Sequence, residues 1–369
     1  MPKVVYIQFA NPEQYPPLEH GSKILVENGW KCLFFGRNNE HAGKITFQPL
    51  SGRSVMFMPR WTMQLPAKME FALYAAWVLF KVVEIRPTFI YLSDPLATPI
   101  GVLLSQLGCK VIYHEHDTPS PSLSRWLQNI RKRLFRTVQF SVIPNAKRIA
   151  HEELKIRDLV EVRNFPSKAD VLEVRPSAAR EIVVCYFGTL VPSRLPMSFF
   201  ERLERTGIHL LVQLMGYETI ESPGYVSQLL QRFEHSVNLR FEFLGSQPMR
   251  DAMLRQAAQA DAGLLFFSNQ EDVNERAMVG ASNKIGDYLA AGIPILCSLN
   301  SEFEALSGEL DGIYPVGSET DLTELLLRLK DHYADASARI ALQKQIEMRF
   351  NYETEFGPVL KRLSATLKT

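Results

Sequence analysis

Short apolar runs alternate along this chain with longer stretches of helical spacing, and a glycine or proline stands at most of the junctions. Residues 4–9 read as a buried strand, followed by a proline-rich loop over 11–17. Helical spacing then occupies 20–27, stops at Asn28-Gly29, and gives way to a second strand over 30–36. This order opens a doubly wound α/β domain. Residues 67–84 are spaced as a long helix, apolar around most of its circumference, a pattern that predicts burial against a sheet. A helix over 98–107 ends at Gly108, and 89–92, 110–113 and 139–143 read as further strands. The second half repeats the theme, with strands at 182–190, 210–216, 239–245 and 262–267, an amphipathic helix over 249–260, and helices over 321–330 and 337–369.

The best-formed unit runs from Ser282 to Leu296. Ile285 and Leu289, four apart, share an apolar stripe, while Lys284 and Asp287 share another face. Ala290-Ala291 lets the helix pack closely, Gly292 stops it, Pro294 forbids continuation, and 293–296 opens a short buried strand. Two readings of Lys284 and Asp287 stand. They form a surface ion pair on an ordinary αβ unit, or they flank the free N–H groups of a helix start and suit a phosphorylated ligand.

Composition narrows the class. At 369 residues, with 46% hydrophobic and 22% charged positions, the chain suits a two-domain globular protein. Its net charge of +1 hides an asymmetry. Residues 1–175 carry 23 Lys and Arg against 15 Asp and Glu, and the remainder 18 against 25, so the halves net +8 and −7. A basic first half suits phosphates or an anionic membrane, or attraction to the acidic half. Cys32, Cys109, Cys185 and Cys297 are scattered in apolar runs, as expected for free thiols in a reducing compartment. The N-terminus enters a strand directly, which argues against a secretory signal, and the apolar stretch 71–83 is too short to span a membrane.

Two further clusters carry chemistry. The strand 110–113 delivers His114-Glu115-His116-Asp117 at its C-terminal end, where open α/β sheets place ligands. An extended backbone puts His114 and His116 on one side, open to a metal site, a solvated strand end or a substrate site. The segment 124–138 interleaves Arg125, Trp126, Arg131, Lys132, Arg133 and Arg136 with Leu127, Ile130 and Leu134. Such a basic amphipathic helix is either a solvated face or a contact for anionic membrane.

The string Asn283-Lys284 … Asp287-Tyr288-Leu289-Ala290-Ala291-Gly292-Ile293-Pro294 resembles the nucleotide-sugar motif of family 4 glycosyltransferases, retaining enzymes with the GT-B fold. That motif reads approximately Asn-Lys-x-x-Glu-Tyr-x-Ala-x-Gly-x-Pro. The resemblance implies two doubly wound, Rossmann-like domains facing across a cleft: an acceptor-binding domain over 1–168, a nucleotide-sugar-binding domain over 181–340, and a helical segment, 341–369, crossing back onto the first. The charged stretch 167–180 would be the linker. The implied reaction moves a hexosyl unit from a nucleoside diphosphate sugar, UDP-sugar foremost, to a hydroxyl of a glycan or lipid-linked acceptor. It implies retention, a role in surface polysaccharide, lipopolysaccharide or glycolipid assembly, and a cytoplasmic enzyme peripheral to the inner face of the membrane. The nucleotide sugar is a co-substrate; no cofactor, metal or nucleic acid is implied.

Residue by residue, His116 and Asp117 match the family's His-Asp pair, whose histidine faces the donor sugar. Gly188 and Thr189 match the turn at the donor phosphates, and Arg194 matches the arginine of a diphosphate-holding Arg-Lys pair. The paired lysine has no counterpart, which shifts load to Lys284. Gly245, Ser246 and Gln247 resemble the loop that cups the nucleobase, Ser282 and Asn283 open the motif helix, and Asp287 takes the place of the acid that holds ribose hydroxyls. A second acid, eight residues earlier, is replaced by Val279; Glu275 substitutes for it only if the loop is longer. The first loop, with Tyr15, Pro16 and Pro17, lacks the family's paired glycines. A nonhydrolysing NDP-sugar epimerase, with Glu115 and Asp117 as its acids, and a silent sugar-nucleotide-binding scaffold are the rival readings.

Overall fold

The computed structural model describes residues 1–38, 46–119, 123–150, 154–174, 181–219, 222–247, 250–267 and 273–367. The chain divides into two units, Met1–Asn164 with Tyr352–Thr369, and Phe165–Asn351. In chain order the first unit contains β1 (Lys3–Gln8), α1 (Pro16–Glu27), β2 (Lys31–Gly36), β3 (Arg53–Phe57), α2 (Ala67–Ile85) and β4 (Phe89–Leu92). It continues with α3 (Thr98–Gln106), β5 (Val111–His114), α4 (Arg125–Thr137), β6 (Phe140–Ile143) and β7 (Leu159–Glu161).

These strands form one parallel sheet in the order β3-β2-β1-β4-β5-β6-β7, which reverses direction between β1 and β4. Its apolar runs are continuous because both faces are covered. Val4 and Tyr6 point into one core, and Val5 and Ile7 into the other, the period-two alternation of a strand.

Helix α2 departs from its expected burial. Only Glu70, Tyr74, Val78 and Val82 are buried, a single stripe at four-residue spacing, while Met69, Leu73, Phe80 and Val83 stay exposed. Glu70 tolerates burial because Arg37 grips it through two bonds of 2.6 and 2.8 Å.

The second unit contains β8 (Ile182–Thr189), α5 (Met197–Arg205), β9 (Leu210–Tyr217), α6 (Tyr225–Arg232), β10 (Leu239–Gly245), α7 (Arg250–Ala257) and β11 (Ala262–Leu265). It ends with α8 (Val273–Arg276), α9 (Asn283–Ala290), β12 (Ile295–Ser298), α10 (Ser301–Ser307), β13 (Ile313–Val316), α11 (Leu322–Tyr333) and α12 (Ala336–Met348). Its strands are parallel in the order β10-β9-β8-β11-β12-β13, with the reversal between β8 and β11. A final helix, α13 (Tyr352–Ala365), belongs to the first unit, where Tyr352, Phe356, Val359 and Leu363 enter the core beside α1. Residues 341–351, grouped with the tail by sequence, belong to the second unit.

Helix α9 ends as its sequence dictates. Gly292, at φ +73°, lets its own N–H reach Leu289 and the N–H of Ile293 reach Tyr288, both at 3.0 Å. That pair of bonds satisfies two carbonyls at the helix end. The expected linker is not one over its described part. Leu172 N–H donates to Ala290 O at 3.3 Å, and Gln343 Nε2 donates to Leu172 O at 2.7 Å. Residues 175–180, the rest of that stretch, lie outside the described residues.

Arg339 on α12 ties the base of this unit together. Its buried guanidinium donates to Tyr333 O at 2.7 Å and to Ala258 O and Ala260 O at 3.0 Å each. Arg339→Met leaves three interior carbonyls without their charged donor. We expect a loss of about 3–5 kcal/mol in unfolding free energy, as for a broken buried charge network. Urea denaturation measures it, and a loss under about 1 kcal/mol would show that the network does not hold this unit.

Candidate functional site

The motif helix and the first strand of the second unit converge at the strand-order reversal, where doubly wound sheets bind ligands. Gly188 near the end of β8 pairs in register with Gly216 on β9. A side chain on Gly216, at φ +150°, would start 1.8 Å from Gly188 O, so only glycine permits this approach. Gly188 is itself left-handed at φ +116°, and a Cβ there would lie 2.9 Å from both Cε and Nζ of Lys284. The bare backbone of Gly188 therefore seats the Lys284 ammonium, which also lies 5.5 Å from the Tyr186 ring centre.

Burial pushes the Lys284 pKa down to about 7, the neighbouring Arg194 pushes in the same direction, and Asp287 opposes both. Arg194 stands in the turn after β8, where its N–H closes onto Val191 O at 3.0 Å. Its guanidinium lies 5.8 Å from the Phe267 ring centre, and its buried Nε has no hydrogen-bond partner among the described residues. Ser282, at the N-terminal boundary of α9, makes no side-chain cap, and Asn283 and Lys284 are half-buried at the helix start. Two cations and a positive helix end thus converge on one place, and an anion is the group that relieves them.

Glu275 was tied by sequence to an unknown loop length. The structure buries it on α8, where it accepts from Ser193 Oγ at 3.4 Å, one residue before Arg194. Residues 268–272 of that loop lie outside the described residues. Thr189 contributes its carbonyl, which accepts from Tyr186 Oη at 2.8 Å.

Asp287 corrects the expectation. It is neither half of a surface pair nor an open acceptor: it is buried and ion-paired with Arg250, which also lies 3.4 Å from Asp170. Burial raises the Asp287 pKa to about 6, against the pull of Arg250. Arg250 escaped the sequence reading, since a partner 37 residues away leaves no local spacing signal. The loop after β10 bends at Gly245, at φ +66°, where Ser246 Oγ donates to Gly216 O at 3.3 Å and Gln247 Nε2 to Leu244 O at 3.1 Å. Gly245, Ser246 and Gln247 therefore join the same edge as Gly188. Pro248 and Met249 lie outside the described residues.

In the first unit, His114 and His116 do share one side, with ring centres 3.8 Å apart. Tyr91 Oη lies 2.8 Å from His114 Nδ1. Burial pushes the His116 pKa down to about 4, with Asp117 opposing and Arg148 assisting, and burial lowers His114 too. Both rings are therefore neutral near pH 7. Glu115 points the other way into a two-bond grip by Arg131, at 2.5 and 2.6 Å, and accepts from Tyr113 Oη at 2.6 Å. Asp117 keeps an exposed carboxylate 3.1 Å from Arg148, which also donates to His116 O at 2.7 Å.

The lowered Lys284 pKa has a consequence for binding. Above pH 7 the free protein loses that proton, and a bound diphosphate draws it back, so affinity should fall as pH rises from 7 to 9. Calorimetry at pH 8 in buffers of different ionisation enthalpy should show proton uptake, abolished in Lys284→Arg. Affinity flat across that range would remove Lys284 from the anion site.

No family model matches the chain, and no curated protein sequence matches it. Solved structures do. HepE of Anabaena, in complex with UDP and glucose, superposes with a TM-score of 0.72 at 17% identity, over 99% of this chain and 100% of that one. Sucrose-phosphate synthase of Thermosynechococcus elongatus gives 0.71 at 11% identity, over 99% and 100%. The lipopolysaccharide outer core galactosyltransferase WaaB gives 0.62 at 14%, over 98% and 99%. The two parallel-sheet units of this chain are those of the GT-B fold.

Proposed function

We propose that this protein is a retaining glycosyltransferase that moves a hexosyl unit from a UDP-sugar to a hydroxyl of a glycan or lipid-linked acceptor, in surface polysaccharide or glycolipid assembly. The observation that carries the reading is the Lys284 ammonium seated against Gly188 at the start of α9, with Arg194 near enough to lower its pKa further. As the bond from the anomeric carbon to the diphosphate breaks, its electron pair leaves on the diphosphate, which those cations stabilise. The acceptor oxygen bonds to the same face of that carbon and its proton passes to the departing phosphate. Catalysis then rests on positioning and on charge stabilisation. Side chains meet the developing charge, so we propose no metal or resident cofactor. Neutral His116, with Asp117 beside it, would hydrogen-bond the transferring sugar. Gly245, Ser246 and Gln247 would receive the base, and Asp287 would reach the ribose only by sharing its carboxylate with Arg250. The epimerase reading loses a candidate acid, because Glu115 is engaged by Arg131 and Tyr113.

The surface of the first unit supports a membrane-peripheral enzyme at the cytoplasmic face. Helices α2, α3 and α4 cover the same side of the sheet. Outward they expose Phe80 (66%), Val83 (71%) and Trp126 (60%) together with Arg125, Arg133 and Arg136. Arg131, counted by sequence among the outward cations, faces inward to Glu115. No helix among the described residues is long and apolar enough to cross a membrane.

Two experiments test these readings. Purified protein given radiolabelled UDP-, GDP- and dTDP-sugars with a lipid extract should transfer label to the extract. Lys284→Ala and Arg194→Ala should each lower kcat/KM about 10²–10³-fold, the effect of losing one contact to a developing anion. Turnover of both variants within a few-fold of wild type would misplace the diphosphate; interconversion of free donor would favour the epimerase, and binding without turnover the scaffold. In sedimentation with anionic liposomes, each basic residue is worth on the order of 1 kcal/mol. Replacing Arg125, Lys132, Arg133 and Arg136 by glutamine should cut binding at least tenfold while nucleotide affinity holds. Equal sedimentation with neutral liposomes would leave α4 a solvated face.

A further inference from the structure

A cavity of the first unit, about 530 Å³, lies at the C-terminal ends of β4 and β5. Its polar floor is Ser93, Asp94, His116 and Thr118, and its wall is apolar, built by Pro95, Leu96, Pro119, Leu123 and Leu127. Asp94 played no part in the sequence reading. Its Oδ1 accepts from Leu96 N–H at 2.8 Å, and the Phe9 N–H also approaches the carboxylate, but its buried Oδ2 makes no well-aligned hydrogen bond among the described residues. Both ring nitrogens of His116 are in the same condition, and both residues are more than nine-tenths buried. Polar atoms so placed cost free energy unless a ligand or solvent meets them. A carboxylate oxygen in a cavity that also holds a neutral imidazole is matched to hydroxyl groups, which donate to the first and either donate to or accept from the second.

The charges of the cavity limit what carries that hydroxyl. No lysine or arginine is among its described lining residues, whereas Asp94 and Asp117 are. The nearby Arg148 is already engaged by Asp117 and the His116 carbonyl. An anionic group entering here would meet carboxylates of its own sign. The apolar wall reaches the surface at Leu96, which is exposed. Its length of aliphatic surface has no use for a second polar ring, but suits a hydrocarbon chain.

We propose that this cavity takes the acceptor as an uncharged glycoside with an apolar aglycone, one of its hydroxyls held by Asp94 and its aglycone lying on Leu96, Leu123 and Leu127. Asp94 is then a specificity-determining residue that excludes sugar phosphates. The inference rests on the glycosyl-transfer reading for the word acceptor, but the binding preference stands apart from it.

The test measures binding to the full chain by calorimetry, with octyl glucoside, octyl galactoside and octyl mannoside, below micelle-forming concentrations, set against the corresponding sugar 6-phosphates. At least one octyl glycoside should bind ten or more times tighter than its sugar phosphate. Asp94→Asn should weaken that binding about tenfold with UDP affinity unchanged. Leu96→Ser, on the exposed rim, should weaken octyl but not methyl glycosides, and serves if Asp94→Asn does not fold. Equal or tighter binding of a sugar phosphate, no binding of any octyl glycoside, or a folded Asp94→Asn within twofold of wild type would each overturn the proposal. Donor turnover is followed separately as UDP release from UDP-sugars. Its absence with every donor would overturn the glycosyl-transfer reading and leave the binding result standing.

Discussion

Keeping Lys284 and Arg194, both partly buried, within electrostatic reach of each other is the constraint on which the second unit's site depends. Each of these cations disfavours the charged form of the other, on top of the cost of desolvation. The start of α9 adds partial positive charge to the same place. The fold tolerates this because acids stand on the flanks, with Asp287 offsetting Lys284 and Glu275 buried beside Ser193. Burial, with Arg194 assisting, still takes the Lys284 pKa down to about 7 against the pull of Asp287. A site built this way is incomplete in charge and gains most from a compact dianion. Gly188 and Gly216 belong to the same constraint, because a single methyl on either would displace the ammonium or separate the two strand ends.

The first unit follows the opposite electrostatic plan. Its one buried acid at the end of β5, Glu115, is fully engaged by Arg131 and Tyr113, which fixes the strand end without leaving charge to spare. What remains at the cavity is neutral imidazole, hydroxyl and a carboxyl whose pKa burial raises to about 6. Such groups select an uncharged ligand by hydrogen-bond geometry and shape, and the carboxylates disfavour an anion. The two units therefore have the chemical character of two different ligands, one an anion and one not.

Most of the architecture was legible because burial on both faces makes parallel strands read as unbroken apolar runs, and because Gly292 and Pro294 announce the end of α9 in any context. The failures share a physical cause. Arg250 with Asp287, and Arg37 with Glu70, are pairs 37 and 33 residues apart, joined by tertiary packing that no local period encodes. Helix α2 failed for a related reason: apolar residues all around a helix say that some face is buried, not which or how many. Residues 167–174 look like linker by composition, yet a backbone bond to the end of α9 holds them. Glu275 was invisible as a site residue because its approach to Ser193 depends on the path of the intervening chain.

Helix α4 shows how far one register can be shared among separate requirements. Arg131 must point inward for Glu115, Leu134 and Phe135 must fill the core, and Ser124 and Leu127 must border the cavity. Those positions occupy one side of the helix, and Arg125, Trp126, Arg133 and Arg136 are what the remaining side has left. A shift of one residue turns every side chain by 100°, which would bury an outward arginine and expose the Glu115 partner. The register is thus fixed from inside, by a charge pair whose loss would leave an unpaired buried carboxylate. The outward cations carry no such structural duty, so their clustering with an exposed tryptophan is free to reflect what the surface meets.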